Sequence, residues 1–287
     1  MRSNRVLCLS PHGFHAMHYT DWGDPRSART AICVHGLTRN GRDFDRLAAA
    51  LSVRWRVACP DVAGRGQSDW LAVPAAYSYP QYCADMTALI ARLDVEAVDW
   101  VGTSMGGLIG MMLAALPGSP IRRLVLNDVG PFLAKAALQR IATYVGQRPT
   151  FATLDALEAY LRQVYAPFGP MPDEEWRHIA LHSHRRLPDG RLALHHDPKI
   201  AENAQASADR DVDLWTLWDQ IVCPVLVLRG AESDLLSAEV AAEMTRRGPQ
   251  ARLVELPGVG HAPALRSDAE IALVQDFLGQ TFLGAAT

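Results

Sequence analysis

The sequence of 287 residues has few cysteines, and they form neither of the patterns typical of disulfide frameworks and zinc sites. The thiols are scattered, odd in number and never spaced as CxxC, which argues against both kinds of site. We therefore expect a protein of a reducing cytoplasm. The five positions are Cys8, Cys33, Cys59, Cys83 and Cys223.

Long apolar runs and basic blocks are also missing. No stretch approaches the ~18 apolar residues of a membrane span, and the N-terminus lacks the features of a signal peptide. The 28 Lys and Arg residues are balanced by 31 Asp and Glu residues, so neither a nucleic acid nor a membrane is an expected partner. Because 49% of the residues are hydrophobic, the chain can bury a large core.

The phosphate-binding motifs GxGxxG and GxxxxGK[ST] and the zinc motif HExxH do not occur. His178 and His182 are four residues apart on a predicted helix, which is the spacing of two metal ligands, but no complete ligand set accompanies them. We expect no cofactor and no metal.

Short, nearly continuous apolar runs alternate with segments of helical period. This alternation predicts right-handed crossovers and a mostly parallel central sheet flanked by helices. The first 22 residues predict a hairpin at one edge, which supplies two strands before the others. The further predicted strands are Thr30–His35, Arg54–Pro60, Val98–Gly102, Arg123–Asp128, Pro224–Gly230 and Arg252–Leu256.

The alternation stops after Asp128 and resumes near Ile221. The intervening residues have helical periodicity and no convincing strand, so we predict a helical lid inserted after the sixth strand. The predicted division is a core domain of residues 1–129 and 215–287 and a lid of residues 130–214.

A candidate nucleophile lies where a predicted strand meets a helix. Ser104 is the centre of a G-x-S-x-G motif flanked by Gly102 and Gly106, and glycines there permit the sharp turn that exposes a serine hydroxyl. The N-terminus of the following helix favours developing negative charge. Ser104 is therefore the predicted nucleophile.

A serine needs a base, and the base needs an acid that orients it. His261 is the predicted base because its glycine-rich loop follows the last strand at the carboxyl edge of the sheet. Asp234, after the preceding strand, is the preferred acid. Asp128 and Glu232 remain open as alternatives.

Backbone amides could bind the oxyanion of the reaction. The amide of Met105 follows the nucleophile directly, and that of Leu37 lies in a tight turn after the Thr30–His35 strand. We expect His35 to brace this turn without taking part in proton transfer.

Together these features resemble the α/β-hydrolase superfamily, in particular its lid-bearing bacterial esterases, lactonases and C–C hydrolases. The resemblance rests on His35-Gly36, the segment 61–68 (DVAGRGQS), the Ser104 motif, Asp234 and Gly260-His261, in that order. It implies an α/β-hydrolase fold and a serine hydrolase that cleaves a carboxylic ester or lactone of a fairly apolar small molecule.

Other activities of this superfamily stay open at this point. The serine disfavours displacement at saturated carbon, which uses an aspartate nucleophile, and Ala262 after His261 disfavours meta-cleavage C–C hydrolysis, where tryptophan is common. A cofactor-free dioxygenase that uses Asp128, or a binding protein without turnover, is a further alternative. The sequence does not indicate an oligomeric state.

Overall fold

The computed structural model describes residues 1–280, and Ser207 by its backbone only. Eight strands form one sheet in the order β1-β2-β4-β3-β5-β6-β12-β13. The strands of this sheet are β1 (Arg2–Ser10), β2 (Gly13–Trp22), β3 (Thr30–Val34), β4 (Arg56–Pro60), β5 (Val98–Thr103), β6 (Ile121–Asn127), β12 (Val225–Gly230) and β13 (Arg252–Leu256).

The sheet is mostly parallel. β1 and β2 form the predicted antiparallel edge hairpin, β2 runs antiparallel to β4, and every later neighbour in the sheet is parallel. The carboxyl ends of β3, β5, β6, β12 and β13 therefore meet at one edge. In parallel α/β sheets this edge is where ligands bind.

Helices cover both faces of the sheet, which explains why its strands are apolar on both sides. In β5, Trp100 packs with α2 and α3, whereas Val101 packs with α1 and α10. No helix within residues 1–280 is long and apolar enough to cross a membrane. The helices are α1 (Asp45–Leu51), α2 (Tyr79–Leu93), α3 (Met105–Ala114), α4 (Lys135–Val145), α5 (Leu154–Val164), α6 (Asp173–His182), α7 (Ile200–Ala206), α8 (Trp215–Trp218), α9 (Ala238–Met244) and α10 (Asp268–Gly279).

The segment between β6 and β12 carries α4 to α8 and adds no strand to the large sheet. The expectation that it contains no strand is wrong, because five strands of two or three residues pair there, too short to produce a periodic pattern. They are β7 (Phe132–Leu133), β8 (Thr150–Phe151), β9 (His184–Arg186), β10 (Leu192–Leu194) and β11 (Val212–Asp213).

The domain boundaries, 1–129 with 215–287 and 130–214, stay predictions. The last seven residues of the predicted core domain lie outside the part of the chain that the structure describes.

Candidate active site

Ser104 occupies the turn from β5 to α3 with φ +51° and ψ −114°. This is a sparsely populated conformation for a residue with a side chain, and it projects the hydroxyl from the sheet edge. The flanking glycines allow the turn because a Cβ at Gly102 would lie 2.3 Å from the Gly106 carbonyl oxygen. The motif predicted from sequence thus has the local geometry that its chemistry requires.

A substitution at Gly106 tests the steric requirement of this turn. A Cβ there would lie 2.0 Å from the Val34 carbonyl oxygen, so we expect Gly106→Ala to lower the free energy of unfolding by about 3 kcal/mol or more. Gly146→Ala is the control, since its nearest contacts would be 3.4 Å or longer. Urea unfolding of both variants measures the difference, and equal stabilities would contradict the steric explanation.

Three side chains at the sheet edge form a continuous hydrogen-bond chain. Ser104 Oγ is 3.0 Å from His261 Nε2, and His261 Nδ1 is 2.7 Å from Asp128 Oδ2. Asp128 is fully buried, and the His261 side chain is 11% exposed. Because a carboxylate only accepts hydrogen bonds, Nδ1 of the neutral imidazole carries the proton and Nε2 is free to accept the proton of Ser104.

The prediction that Asp234 is the acid that orients His261 is wrong. The Asp234 side chain is 53% exposed and forms an ion pair with Arg140 on α4, with Arg140 Nη2 2.7 Å from Asp234 Oδ1. Glu232 is also exposed. Asp128, the stated alternative, is the residue that contacts the imidazole.

The path of the loop after β13 explains this outcome. The loop crosses the end of β12 at Gly230, where a Cβ would lie 2.3 Å from the Gly260 carbonyl oxygen. The Glu232 amide also donates to the Val259 carbonyl at 2.9 Å. His261 is thereby carried past β12 to the end of β6, where Asp128 stands.

Asp128 is held by more than the histidine. Its backbone is left-handed, with φ +56°, which turns the residue sharply at the end of β6. Oδ1 accepts the Gly230 amide at 2.8 Å, and Oδ2 accepts the Ser233 hydroxyl at 2.6 Å. Sequence reasoning missed Ser233, since a lone serine in this loop has no pattern that distinguishes it.

Two backbone amides beside Ser104 have no acceptor. Leu37 and Met105 both line the cavity that Ser104 faces, and neither N–H donates a hydrogen bond to another group within residues 1–280. The fully buried Arg65 positions both residues, because it donates to the Leu37 carbonyl at 2.9 Å and lies 3.5 Å from Met105 Sδ. Sequence analysis did not identify Arg65 as part of the site.

His35 braces the turn that carries Leu37, as expected. Its Nδ1 donates to the Gly36 carbonyl at 2.7 Å, and its Nε2 accepts the Val62 amide at 2.9 Å. Both ring nitrogens are occupied in the neutral form. Burial lowers the pKa of His35 to about 4, so the side chain stays neutral across the physiological range.

Buried neutral histidines predict acid lability. Desolvation also lowers the pKa of His196 to about 4 and that of His195 well below its usual value. Since an unfolded histidine has a pKa near 6.5, the unfolded chain binds more protons, and stability falls as the pH drops from about 6.5 towards 4. We expect each histidine to contribute a loss of up to about 1.4 kcal/mol per pH unit.

Urea unfolding between pH 7.5 and 5 measures this dependence. The slope of the free energy of unfolding against pH gives the number of protons taken up on unfolding, and His196→Gln should reduce that number by about one. A stability that does not change over this range would contradict the buried neutral state of these histidines.

A cavity of about 590 Å³ separates the sheet edge from the inserted helices. Ser104 and His261 line it from the sheet edge, and mostly apolar side chains line it from the insert, including Leu138, Ile141 and Ile200. A cavity of this size can enclose a drug-sized molecule. The apolar part of this lining is suited to an acyl or alkyl chain.

Two groups of side chains within residues 1–280 bring three potential metal ligands together, and neither lines this cavity. In the second group, an Arg42 guanidinium already binds the Asp45 carboxylate. The hydrogen-bond chain at Ser104 is complete without either group. The groups are Cys8, His15 and Asp85, and Asp45, His178 and His182.

The chain is similar to known proteins over most of its length. A family model described as the alpha/beta hydrolase fold matches residues 31–267. A 3-hydroxybutyrate-oligomer hydrolase of Cupriavidus necator is 50% identical over 280 residues, which cover 95% of this chain and 96% of that protein.

Two further proteins are similar over most of their length. A pimeloyl-[acyl-carrier protein] methyl ester esterase of Neisseria meningitidis is 28% identical, and the match covers 88% of this chain and 95% of that protein. The crystal structure of an alpha/beta hydrolase from Novosphingobium aromaticivorans has a TM-score of 0.86 at 39% identity, covering 97% of this chain and 99% of that one.

Proposed function

This chain belongs to the α/β-hydrolase family, and on that premise we propose that it cleaves carboxylic esters through an acyl-enzyme formed on Ser104. The resemblance identified from sequence is confirmed, and the chain is a hydrolase of this family. The observation that carries the finer proposal is the hydrogen-bond chain from Ser104 through His261 to buried Asp128, which opens on the cavity.

In the proposed reaction Ser104 Oγ attacks the ester carbonyl carbon while His261 Nε2 takes the hydroxyl proton. Asp128 accepts the hydrogen bond from Nδ1 and stabilises the imidazolium that forms. The same proton passes from Nε2 to the leaving alkoxide as the carbon–oxygen bond breaks. Water, deprotonated by His261, then attacks the acyl carbon. The proton passes from Nε2 to Ser104 Oγ as the acyl–oxygen bond breaks, which releases the acid and restores Ser104.

The amides of Leu37 and Met105 are the proposed oxyanion donors. Their lack of other acceptors and their place beside Ser104 support this role. An oxyanion donor is typically worth about 2.7–4 kcal/mol of transition-state stabilisation. Arg65 would act by positioning these amides, and it would not contact the substrate.

The apolar cavity and the activity of the C. necator relative, a 3-hydroxybutyrate-oligomer hydrolase, favour esters between short hydroxy acids as substrates. A linear oligomer of 3-hydroxybutyrate contains only ester links, with apolar methyl branches that suit such a lining. The inserted helices would close over the bound chain as a lid and exclude water during acylation.

A common acyl-enzyme can be detected by competition between water and methanol. Two esters with the same 3-hydroxybutyryl group and different alcohols should give the same ratio of free acid to methyl ester, because both pass through one intermediate. A ratio that depends on the leaving alcohol would contradict the acyl-enzyme.

The same preparation separates the proposal from its alternatives. We expect ester turnover without oxygen consumption, and turnover of a meta-cleavage ring-fission product at least about 100-fold slower. Faster C–C cleavage, substrate-dependent oxygen uptake, or ligand binding without turnover would each overturn the ester hydrolase assignment.

A further inference from the structure

Three of the four arginine side chains that line the cavity are paired with a carboxylate. The four are Arg39, Arg140, Arg210 and Arg266. Arg39 Nε and Nη2 donate to the two oxygens of Asp43 at 2.8 and 2.5 Å. Arg266 pairs with buried Glu175. These two guanidinium groups belong to structural ion pairs.

Arg210 differs from these two guanidinium groups. Arg210 is exposed and has no acidic side chain within 4 Å in the described part of the chain. It follows a short 3-10 turn that packs against α4, the helix that carries Arg140. Arg140 pairs with Asp234, which is half exposed and does not itself line the cavity.

Arg210 forms no ion pair with its neighbours Asp209 and Asp211 in the described part of the chain, and the Asp211 carboxylate accepts the Lys135 amide at 2.7 Å. Among the described residues, Arg210 is therefore the guanidinium group that lines the cavity without a carboxylate partner. A guanidinium beside apolar walls is stabilised by a carboxylate, which it can bind through two parallel hydrogen bonds.

We propose that Arg210 binds the terminal carboxylate of the substrate, so that the site selects free-acid oligomers of hydroxy acids over neutral esters. The inference rests on the proposed ester hydrolysis, and it specifies in addition that the preferred substrate carries a negative charge. Each linear hydroxy-acid oligomer ends in one free carboxylate, while its ester carbonyl must lie at Ser104. The cavity provides groups for both within one enclosed volume.

The test compares the 3-hydroxybutyrate trimer as the free acid with the same trimer as its methyl ester. For each, kcat/KM is measured for cleavage of an internal ester, with products identified by mass spectrometry. The wild type should prefer the free acid. Arg210→Gln should lower the ratio of the two kcat/KM values about ten- to a hundredfold, since only the free acid loses a charged partner.

Arg148→Gln is the matched control, because Arg148 is also exposed, lies just beyond α4 and does not line the cavity. It should leave the ratio unchanged. Thermal unfolding of each variant confirms that a lost preference does not come from a lost fold.

The outcomes separate the two proposals. A wild type that cleaves neither form of the trimer, nor any other ester, would contradict the ester hydrolase itself. A wild type that cleaves the methyl ester as fast as the free acid, or an Arg210→Gln ratio equal to that of the wild type, would overturn the carboxylate subsite alone.

Discussion

Asp128→Asn should lower kcat on a neutral ester by about 10⁴-fold. Asparagine keeps the size of the side chain but can present an N–H where His261 Nδ1 requires an acceptor, and the imidazole then adopts the wrong tautomer. Asp234→Asn should leave kcat within about threefold, because Asp234 contacts Arg140 and is half exposed. Steady-state kinetics on 4-nitrophenyl butyrate measures both variants.

This pair of variants decides between the two acids on chemistry as well as on geometry. A larger loss from Asp234→Asn than from Asp128→Asn would mean that the loop after β12 rearranges in the working enzyme. Circular dichroism and thermal unfolding should show that Asp128→Asn remains folded, since the residue also binds the Gly230 amide and the Ser233 hydroxyl.

Ser104→Ala should lower kcat by about 10⁶-fold while leaving the thermal midpoint almost unchanged. The nucleophilic oxygen is lost, and alanine occupies the same turn without adding volume. Ser78→Ala is the control, since Ser78 lines the same cavity without belonging to the hydrogen-bond chain. Its kcat should stay within about threefold of wild type, and a comparable loss in both variants would contradict a special role for Ser104.

The sequence predicts the fold well because parallel strands buried on both faces leave a strong signal. The runs that include Ile32, Val101 and Val227 are apolar at nearly every position, and all three residues are fully buried in the sheet. The turn at Ser104 was also predictable, since Gly102 and Gly106 mark it locally. The strands of two or three residues in the insert had no such signal.

The identity of the acid depends on a contact that sequence spacing does not reveal. Asp128 and His261 are 133 residues apart, and they meet because the loop after β13 passes over Gly230. A carboxylate after β12 looked closer along the chain, but the side chain of Asp234 turns away to Arg140 while Leu235 and Leu236 are buried. Only the folded path of two loops distinguishes the two acids.

Supporting residues were missed for a related reason. Arg65 and Ser233 act through neighbours that are distant in sequence, and neither belongs to a motif that indicates its contact. Arg65 lies in the loop after β4 and reaches the Leu37 carbonyl, 28 residues away. Burial of a guanidinium is unusual, but burial itself is visible only in the folded chain.

Intact-mass analysis after exposure to a fluorophosphonate tests most directly whether Ser104 is an activated nucleophile. We expect one covalent adduct on each wild-type chain and none on Ser104→Ala. An adduct that persists on Ser104→Ala would contradict this expectation, as would a folded wild type that hydrolyses esters but takes up no label.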